Sequence, residues 1–261
     1  MSESSTDQLV AALHASQTRL TAALAGMTEE QAGTQSYDDE WSVAQVASHL
    51  GSGGELFTGF LEAGVTGEKV PGVEAMQPVW DAWNARDPLS QTRDTVTVND
   101  AFLARLDTLT APERAAWSLE LFGATRDLDG FLRMRLSEHA LHTWDIVVSF
   151  DPTATLPEDV STHIVEQLAL VAAWTGRKDD EKLSVEVRTT APERAFHLDL
   201  GPSGVQITPS SDDTDAAAVL SLPAEAFIRL VYGRLDPDHT PASVEAQGVD
   251  LDLLRRTFPG V

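Results

Sequence analysis

The sequence contains no cysteine, and this absence excludes several kinds of chemistry at once. A chain without thiols has no disulfide bonds, no cysteine nucleophile and no zinc site with thiolate ligands. Any metal site must therefore be built from histidine, aspartate and glutamate side chains. The lack of cysteine also fits a reducing cytoplasm, which is the location that we expect.

Long apolar runs and basic residues are also scarce. No stretch approaches the ~18 consecutive apolar residues of a transmembrane helix, and Met1 to Gln8 is too polar for a secretory signal. Lys and Arg number 18 against 41 Asp and Glu, which gives the 261-residue chain a formal net charge of −23. Because a surface this acidic repels nucleic acids and anionic membranes, we expect neither as a partner.

The apolar residues of the first part of the chain recur at helical spacing. This spacing predicts helices from Thr6 to Leu24, from Ser42 onward, and over residues 90–109, 128–150 and 157–176, with residues 112–123 as a connection. Thr6 is the expected N-cap of the first helix. In the second helix, Ser42 and Gln45 have the spacing of a capping box.

Three glycines, Gly51, Gly53 and Gly54, lie inside the predicted second helix. Each costs helix propensity of about 1 kcal/mol relative to alanine. The segment therefore either packs closely against a neighbour or kinks.

After residue 177 the apolar pattern changes from helical spacing to alternation, as in a half-buried strand. Strands are predicted over residues 183–187, 196–200, 205–207, 216–222 and 244–247, with helices over 223–232 and 251–258. We therefore expect two domains, a helical domain of residues 1–177 and a small α+β domain of residues 178–261.

Glu138 and His142 stand four residues apart in the predicted fourth helix, so their side chains share a face. A carboxylate and an imidazole in this arrangement can bind one divalent ion. His49, on or beside the apolar stripe of the second helix, can supply a third ligand. Three protein ligands leave one coordination position for water or substrate, as catalytic sites do.

Other interpretations of these residues stay open at this point. A glutamate and a histidine four residues apart are also typical of a surface pair, and a histidine on an apolar face is often a hydrogen-bonded core residue. Spacing alone does not show that the two helices face each other. The remaining histidines are interpreted as surface or packing residues and the six tryptophans as core residues. The sequence has no glycine-rich phosphate loop and no G-x-S-x-G motif.

Two short motifs carry a resemblance to a known family. They are Trp41-Ser42 followed by His49-Leu50, and Glu138-x-x-x-His142-x-x-Asp145. Together with the order of the two domains and the segment 220–235, they resemble the mycothiol-dependent maleylpyruvate isomerase family, part of the DinB-like metalloenzyme group. The resemblance implies an N-terminal DinB-like four-helix bundle followed by a small α+β domain.

The resemblance also implies a set of site residues. His49, Glu138 and His142 match the ligands of a zinc site. Asp145 matches the acidic residue that closes the motif, and we expect it to orient His142 or to contact substrate; a solvated charge near the helix end is the alternative. Arg234 is expected to bind an anion at the cleft between the domains, or else to be a surface cation.

The function implied by the resemblance is that of a metal-dependent transferase or isomerase with mycothiol as thiol cosubstrate. The metal would activate the thiol for attack on a small electrophilic substrate, with S-transfer or cis–trans isomerisation as the outcome. Zinc is favoured, although iron, nickel or manganese also fit nitrogen and oxygen ligands. The alternatives are a DinB-like metal-dependent hydrolase and a non-catalytic metal-binding or ligand-binding protein. The sequence indicates neither the electrophile nor the oligomeric state.

Overall fold

The computed structural model of the chain describes residues 4–178, 180, 182–210 and 217–260. The chain divides into two compact units, Met1–Ala154 and Thr155–Val261. The first unit is mainly helical and the second contains a five-stranded sheet, which confirms the predicted fold class. Among the described residues, no helix has both the length and the apolar character needed to cross a membrane.

The first unit is a bundle of four long helices with shorter helices between them. Its helices are α1 (Ser5–Leu24), α2 (Glu29–Ala32), α3 (Val43–Thr66), α4 (Gln77–Asn84), α5 (Pro88–Asp107), α6 (Ala111–Ala116) and α7 (Leu128–Val148). The long helices pack as a ring in which α1 contacts α7, α7 contacts α3, α3 contacts α5, and α5 contacts α1. Leu20, Val46, Leu50 and Ile146 are buried in a shared apolar cluster, which holds α1, α3 and α7 together.

The N-cap predicted for α3 is present in the structure, whereas the N-cap of α1 differs from the predicted one. Ser42 caps α3 and forms the predicted capping box with Gln45. The cap of α1 is Ser4, whose hydroxyl accepts a hydrogen bond from the Asp7 backbone N–H. The prediction of Thr6 as this cap is therefore wrong, because Thr6 already lies in the first turn of the helix.

The glycines of α3 allow close packing and do not kink the helix, which runs without a break from Val43 to Thr66. A Cβ atom at Gly51 would lie 2.1 Å from the ring of Trp83 on α4. A Cβ atom at Gly54 would lie 3.0 Å from the side chain of Asn99 on α5. The missing side chains thus let α4 and α5 approach the helix that carries His49.

The segment predicted as a connection contains regular structure. Besides most of α6, it includes the strand β1 (Ser118–Leu121), which forms a hairpin with the following strand β2 (Ala124–Asp127). Its two turn residues have positive φ angles, 51° at Phe122 and 77° at Gly123. Tight hairpin turns of this kind usually carry Asn or Asp before the glycine. Because phenylalanine occupies that position, the sequence lacks the usual hairpin signal.

In its described residues, the second unit combines a sheet with four short helices. Its elements are α8 (Glu158–Ile164), α9 (Leu168–Thr175), β3 (Leu183–Thr190), β4 (Arg194–Gly201), β5 (Gly204–Pro209), β6 (Val219–Pro223), α10 (Ala224–Val231), β7 (Glu245–Gln247) and α11 (Leu251–Thr257). The strand order is β5-β4-β3-β6-β7; the neighbours β3 and β6 are parallel, and the other named pairs are antiparallel. Of the strand predicted over residues 216–222, Ala216 lies outside the described residues.

The boundary between the units differs from the expected position between residues 177 and 178. The helix predicted over residues 157–176 is interrupted by a 3-10 turn at Val165–Gln167. This turn separates α8, which packs against α10, from α9, which packs against β5. Because both helices contact elements of the sheet-containing unit, that unit begins at Thr155.

Candidate metal centre

Three potential ligands from two packed helices converge in the first unit. His49 lies on α3, and Glu138 and His142 lie one turn apart on α7. The Oε2 atom of Glu138 is 3.5 Å from Nε2 of His49 and 3.8 Å from Nε2 of His142. One donor atom from each residue lies within 4.8 Å of the others. The two helices therefore face each other in the structure, which the residue spacing alone did not show.

The geometry of this triad fits a small divalent cation. Zinc bound to nitrogen and oxygen at about 2.0–2.1 Å in a tetrahedron keeps neighbouring ligand atoms about 3.3 Å apart. The distances from Glu138 to the two imidazole nitrogens are close to that value. The side chains of His49 and Glu138 are 35% and 41% exposed, so the triad is partly exposed to solvent. The residues present thus suit a metal site that a small molecule can reach.

The carboxylate of Asp145 lies within hydrogen-bond distance of the His142 ring. This carboxylate is fully buried, and its Oδ2 atom lies 2.9 Å from Nδ1 of His142. A carboxylate accepts a hydrogen bond, so Nδ1 carries the proton and Nε2 faces Glu138. The backbone carbonyl of Asp145 accepts a hydrogen bond from the Tyr37 N–H at 3.3 Å, which ties the segment before α3 to α7.

The electrostatic environment favours the ligand forms of the triad. Burial raises the pKa of Glu138, but the hydrogen bond with His49 and the electrostatic interactions with His142, His49 and Arg135 outweigh it, so the pKa falls to about 2. Burial lowers the pKa of His49, and Glu138 only partly opposes this shift. Near neutral pH the site therefore holds a carboxylate and a neutral imidazole, the protonation states that metal binding requires.

Trp41 forms an aromatic wall beside the triad. Its ring centroid lies 5.3 Å from that of His49 and 6.4 Å from that of His142. From the sequence, every tryptophan is interpreted as a core residue. That prediction is confirmed for Trp83, Trp117 and Trp144, whereas Trp174 is 79% exposed.

Arg135 is a residue near the triad that the sequence analysis missed. It is 1% exposed, and it donates hydrogen bonds to the Asn99 side chain and, at 3.5 Å, to the Leu50 carbonyl oxygen. Burial lowers its pKa to about 10, so it remains charged near neutral pH. Residues 135, 138 and 142 have the spacing of one helix face, but this spacing does not show whether the guanidinium group is buried.

His139 has a structural role, as expected, although it adjoins Glu138. Its ring is buried, with Nδ1 2.8 Å from the Ser16 hydroxyl and Nε2 3.1 Å from the Gln17 carbonyl oxygen. The carbonyl accepts, so Nε2 donates and Nδ1 accepts from Ser16. Burial holds the pKa of His139 well below its ordinary value, so the ring is a neutral link between α7 and α1.

Arg234 belongs to the second unit. It follows Gly233, which has a φ of 74°, just after α10. Its Nη1 atom donates to the Tyr232 carbonyl oxygen at 2.9 Å, and its backbone N–H donates to the Arg229 carbonyl oxygen. The role of Arg234 in binding an anion stays a prediction.

Comparisons with known proteins cover both units. A family model described as the mycothiol maleylpyruvate isomerase N-terminal domain matches residues 13–147, and the model of the corresponding C-terminal domain matches residues 155–255. A crystal structure of the mycothiol-dependent maleylpyruvate isomerase is similar in fold, with a TM-score of 0.67, 14% identity and 92% of each chain covered. A crystal structure of a histidine-to-alanine mutant of that isomerase matches with the same values. The comparison with curated proteins gives no match.

Proposed function

The chain is an enzyme of the mycothiol maleylpyruvate isomerase family, and from this premise we propose that it isomerises a cis-unsaturated electrophile with mycothiol as cosubstrate. The observation that carries the proposal is the convergence of His49, Glu138 and His142 at one accessible point of the bundle. The chain has no cysteine, so thiol chemistry at this point requires an external thiol. Membership of this family supports mycothiol as that thiol.

His49, Glu138 and His142 would hold the metal ion. When bound, a divalent ion supplies the positive charge that lowers the pKa of a coordinated thiol. Zinc suits the donor set of two imidazoles and one carboxylate and their separations. Glu138 contributes the one negative charge of the ligand set, and the half-buried Trp41 ring restricts the approach of solvent from its side.

The proposed reaction uses the thiolate as a reversible nucleophile. The sulfur adds to one alkene carbon that is conjugated with a carbonyl group, and the electron pair of the double bond moves to the carbonyl oxygen. The former double bond is now single and rotates. When the electron pair returns, the carbon–sulfur bond breaks, and the trans isomer and the thiolate are released. An electrophile with a leaving group would instead keep the sulfur, which is S-transfer.

Activity measured on zinc-loaded protein tests this proposal. We expect maleylpyruvate and related cis-unsaturated oxo acids to give the trans isomer only when mycothiol is present, with the thiol recovered unchanged. A stable conjugate would favour S-transfer. Turnover without thiol would favour a metal-dependent hydrolase, and tight binding without any product would favour a non-catalytic protein. Each of the last two results would contradict the proposal.

Asp145 is proposed to position His142. The Asp145→Asn variant keeps the size of the side chain but removes the negative charge beside Nδ1 of His142. We expect zinc affinity to fall by about 10- to 100-fold, as it does when such supporting carboxylates are lost. Competition with a chromophoric chelator measures the change. Glu120→Gln, which makes the same chemical change on the exposed face of β1, should bind zinc as tightly as the unchanged protein. Equal affinities for all three proteins would show that Asp145 has no positioning role.

A further inference from the structure

Arg135 places a positive charge inside the bundle, beside the candidate metal centre. Its Nη2 atom donates to the Asn99 side chain on α5 and to the Leu50 carbonyl oxygen on α3. A Cβ atom at Gly53, one turn after His49 on α3, would lie 3.1 Å from its Nη1 atom. The guanidinium group therefore occupies the space between α3 and α7, one turn along the bundle from the triad.

The charge of Arg135 is only partly compensated by its surroundings. Within the described part of the chain it forms no ion pair with a carboxylate, and its Nε atom has no hydrogen-bond partner. The rings of Phe57 and Phe102 face the guanidinium group at 4.9 and 5.8 Å. A buried cation without a direct ion pair lowers stability, and an apolar side chain of similar volume often serves packing equally well. This cost suggests that the charge itself has a use.

The charge balance of the proposed centre suggests that use. The charges of a divalent ion and of the two carboxylates, Glu138 and Asp145, cancel. Arg135 then leaves one positive charge, which an anion such as a thiolate neutralises. We propose that Arg135 makes this centre bind an anionic ligand in preference to a neutral one. The inference rests on the proposed function, and it assigns to Arg135 a role in ligand selectivity without direct contact with substrate.

Cobalt-loaded protein provides a test that does not depend on activity. The visible spectrum of bound Co²⁺ reports when an added ligand reaches the metal, so azide and imidazole serve as the anionic and neutral probes. In Arg135→Met we expect the preference for azide over imidazole to fall about tenfold, which corresponds to about 1.4 kcal/mol. Arg135→Lys, which keeps the charge, should retain most of the preference. Arg93→Met, the same loss of charge at an exposed position of α5, should leave it unchanged.

The possible outcomes separate this inference from the proposed function. If removal of the charge weakened the binding of azide and of imidazole equally, or weakened the binding of neither, Arg135 would have no role in ligand selectivity. The metal centre would remain intact in that case. Unchanged protein that binds no cobalt would overturn the proposed function and this inference together. Should Arg135→Met not fold, Arg135→Gln keeps polar hydrogen-bond donors without the charge, and the same fall in the azide preference is expected from it.

Discussion

The His49→Ala variant is expected to lose most of its bound zinc and to lower the mycothiol-dependent rate by more than about 100-fold. Loss of a group that only supports a ligand already reduces metal affinity or activity 10- to 100-fold, so loss of a ligand should cost more. Without His49, both remaining ligands come from α7, and α3 supplies none. Metal analysis after dialysis, together with initial rates at saturating thiol, measures both effects.

His14→Ala is the matched control for this variant. His14 is an exposed histidine of the same unit, and it pairs with Asp107 at 3.0 Å, outside the triad. Its replacement should leave metal content and rate unchanged. Circular dichroism should show the same helix content in both variants, since neither histidine lies in the apolar core. Full zinc occupancy in His49→Ala would contradict the assignment of the ligands.

The Gly51→Ala variant is expected to lose about 2 kcal/mol or more of unfolding free energy. The added Cβ would lie 2.1 Å from the ring of Trp83, which is 2% exposed. The ring has little freedom to move, because its Nε1 atom donates to Glu55 at 2.9 Å and the Arg86 guanidinium group lies 3.6 Å from its centroid. Overpacking of this kind typically costs about 1–3 kcal/mol. Urea unfolding of the full chain, followed by circular dichroism, measures the loss.

Gly59→Ala makes the same chemical change on the same helix where there is space for it. No heavy atom would lie within 4 Å of the new Cβ. Alanine in a helix interior is favoured over glycine by roughly 0.5–1 kcal/mol, so this variant should be slightly more stable than the unchanged protein. If both variants changed the free energy of unfolding in the same direction by the same amount, close packing at Gly51 would not explain the change in Gly51→Ala.

The sequence allowed much of the first unit to be predicted because its signals are local. The Ser42–Gln45 capping box and the apolar spacing of the long helices depend only on neighbouring residues, and both appear in the structure. The hairpin at Phe122–Gly123 was missed because its turn has an unusual composition. The start of the second unit was placed too late because helical spacing does not show whether a helix packs on a bundle or on a sheet.

The candidate site was only partly visible in the sequence. The spacing of Glu138 and His142 indicated a shared helix face, but the position of His49 opposite them depends on how α3 packs against α7. Arg135 was missed because a lone arginine in an apolar stripe does not show whether its head reaches solvent or stays buried. The burial of Asp145 also depends on tertiary packing, and its interaction with His142 was only one of three expectations.

X-ray absorption at the zinc edge, recorded before and after the addition of mycothiol, tests whether the thiol binds to the metal ion at His49, Glu138 and His142. Because the chain contains no cysteine, the protein contributes no thiolate sulfur to the spectrum. We expect only nitrogen and oxygen neighbours at about 2.0–2.1 Å without mycothiol, and one sulfur neighbour at about 2.3 Å once mycothiol is present. A shell of nitrogen and oxygen that stays unchanged at saturating mycothiol would contradict this expectation.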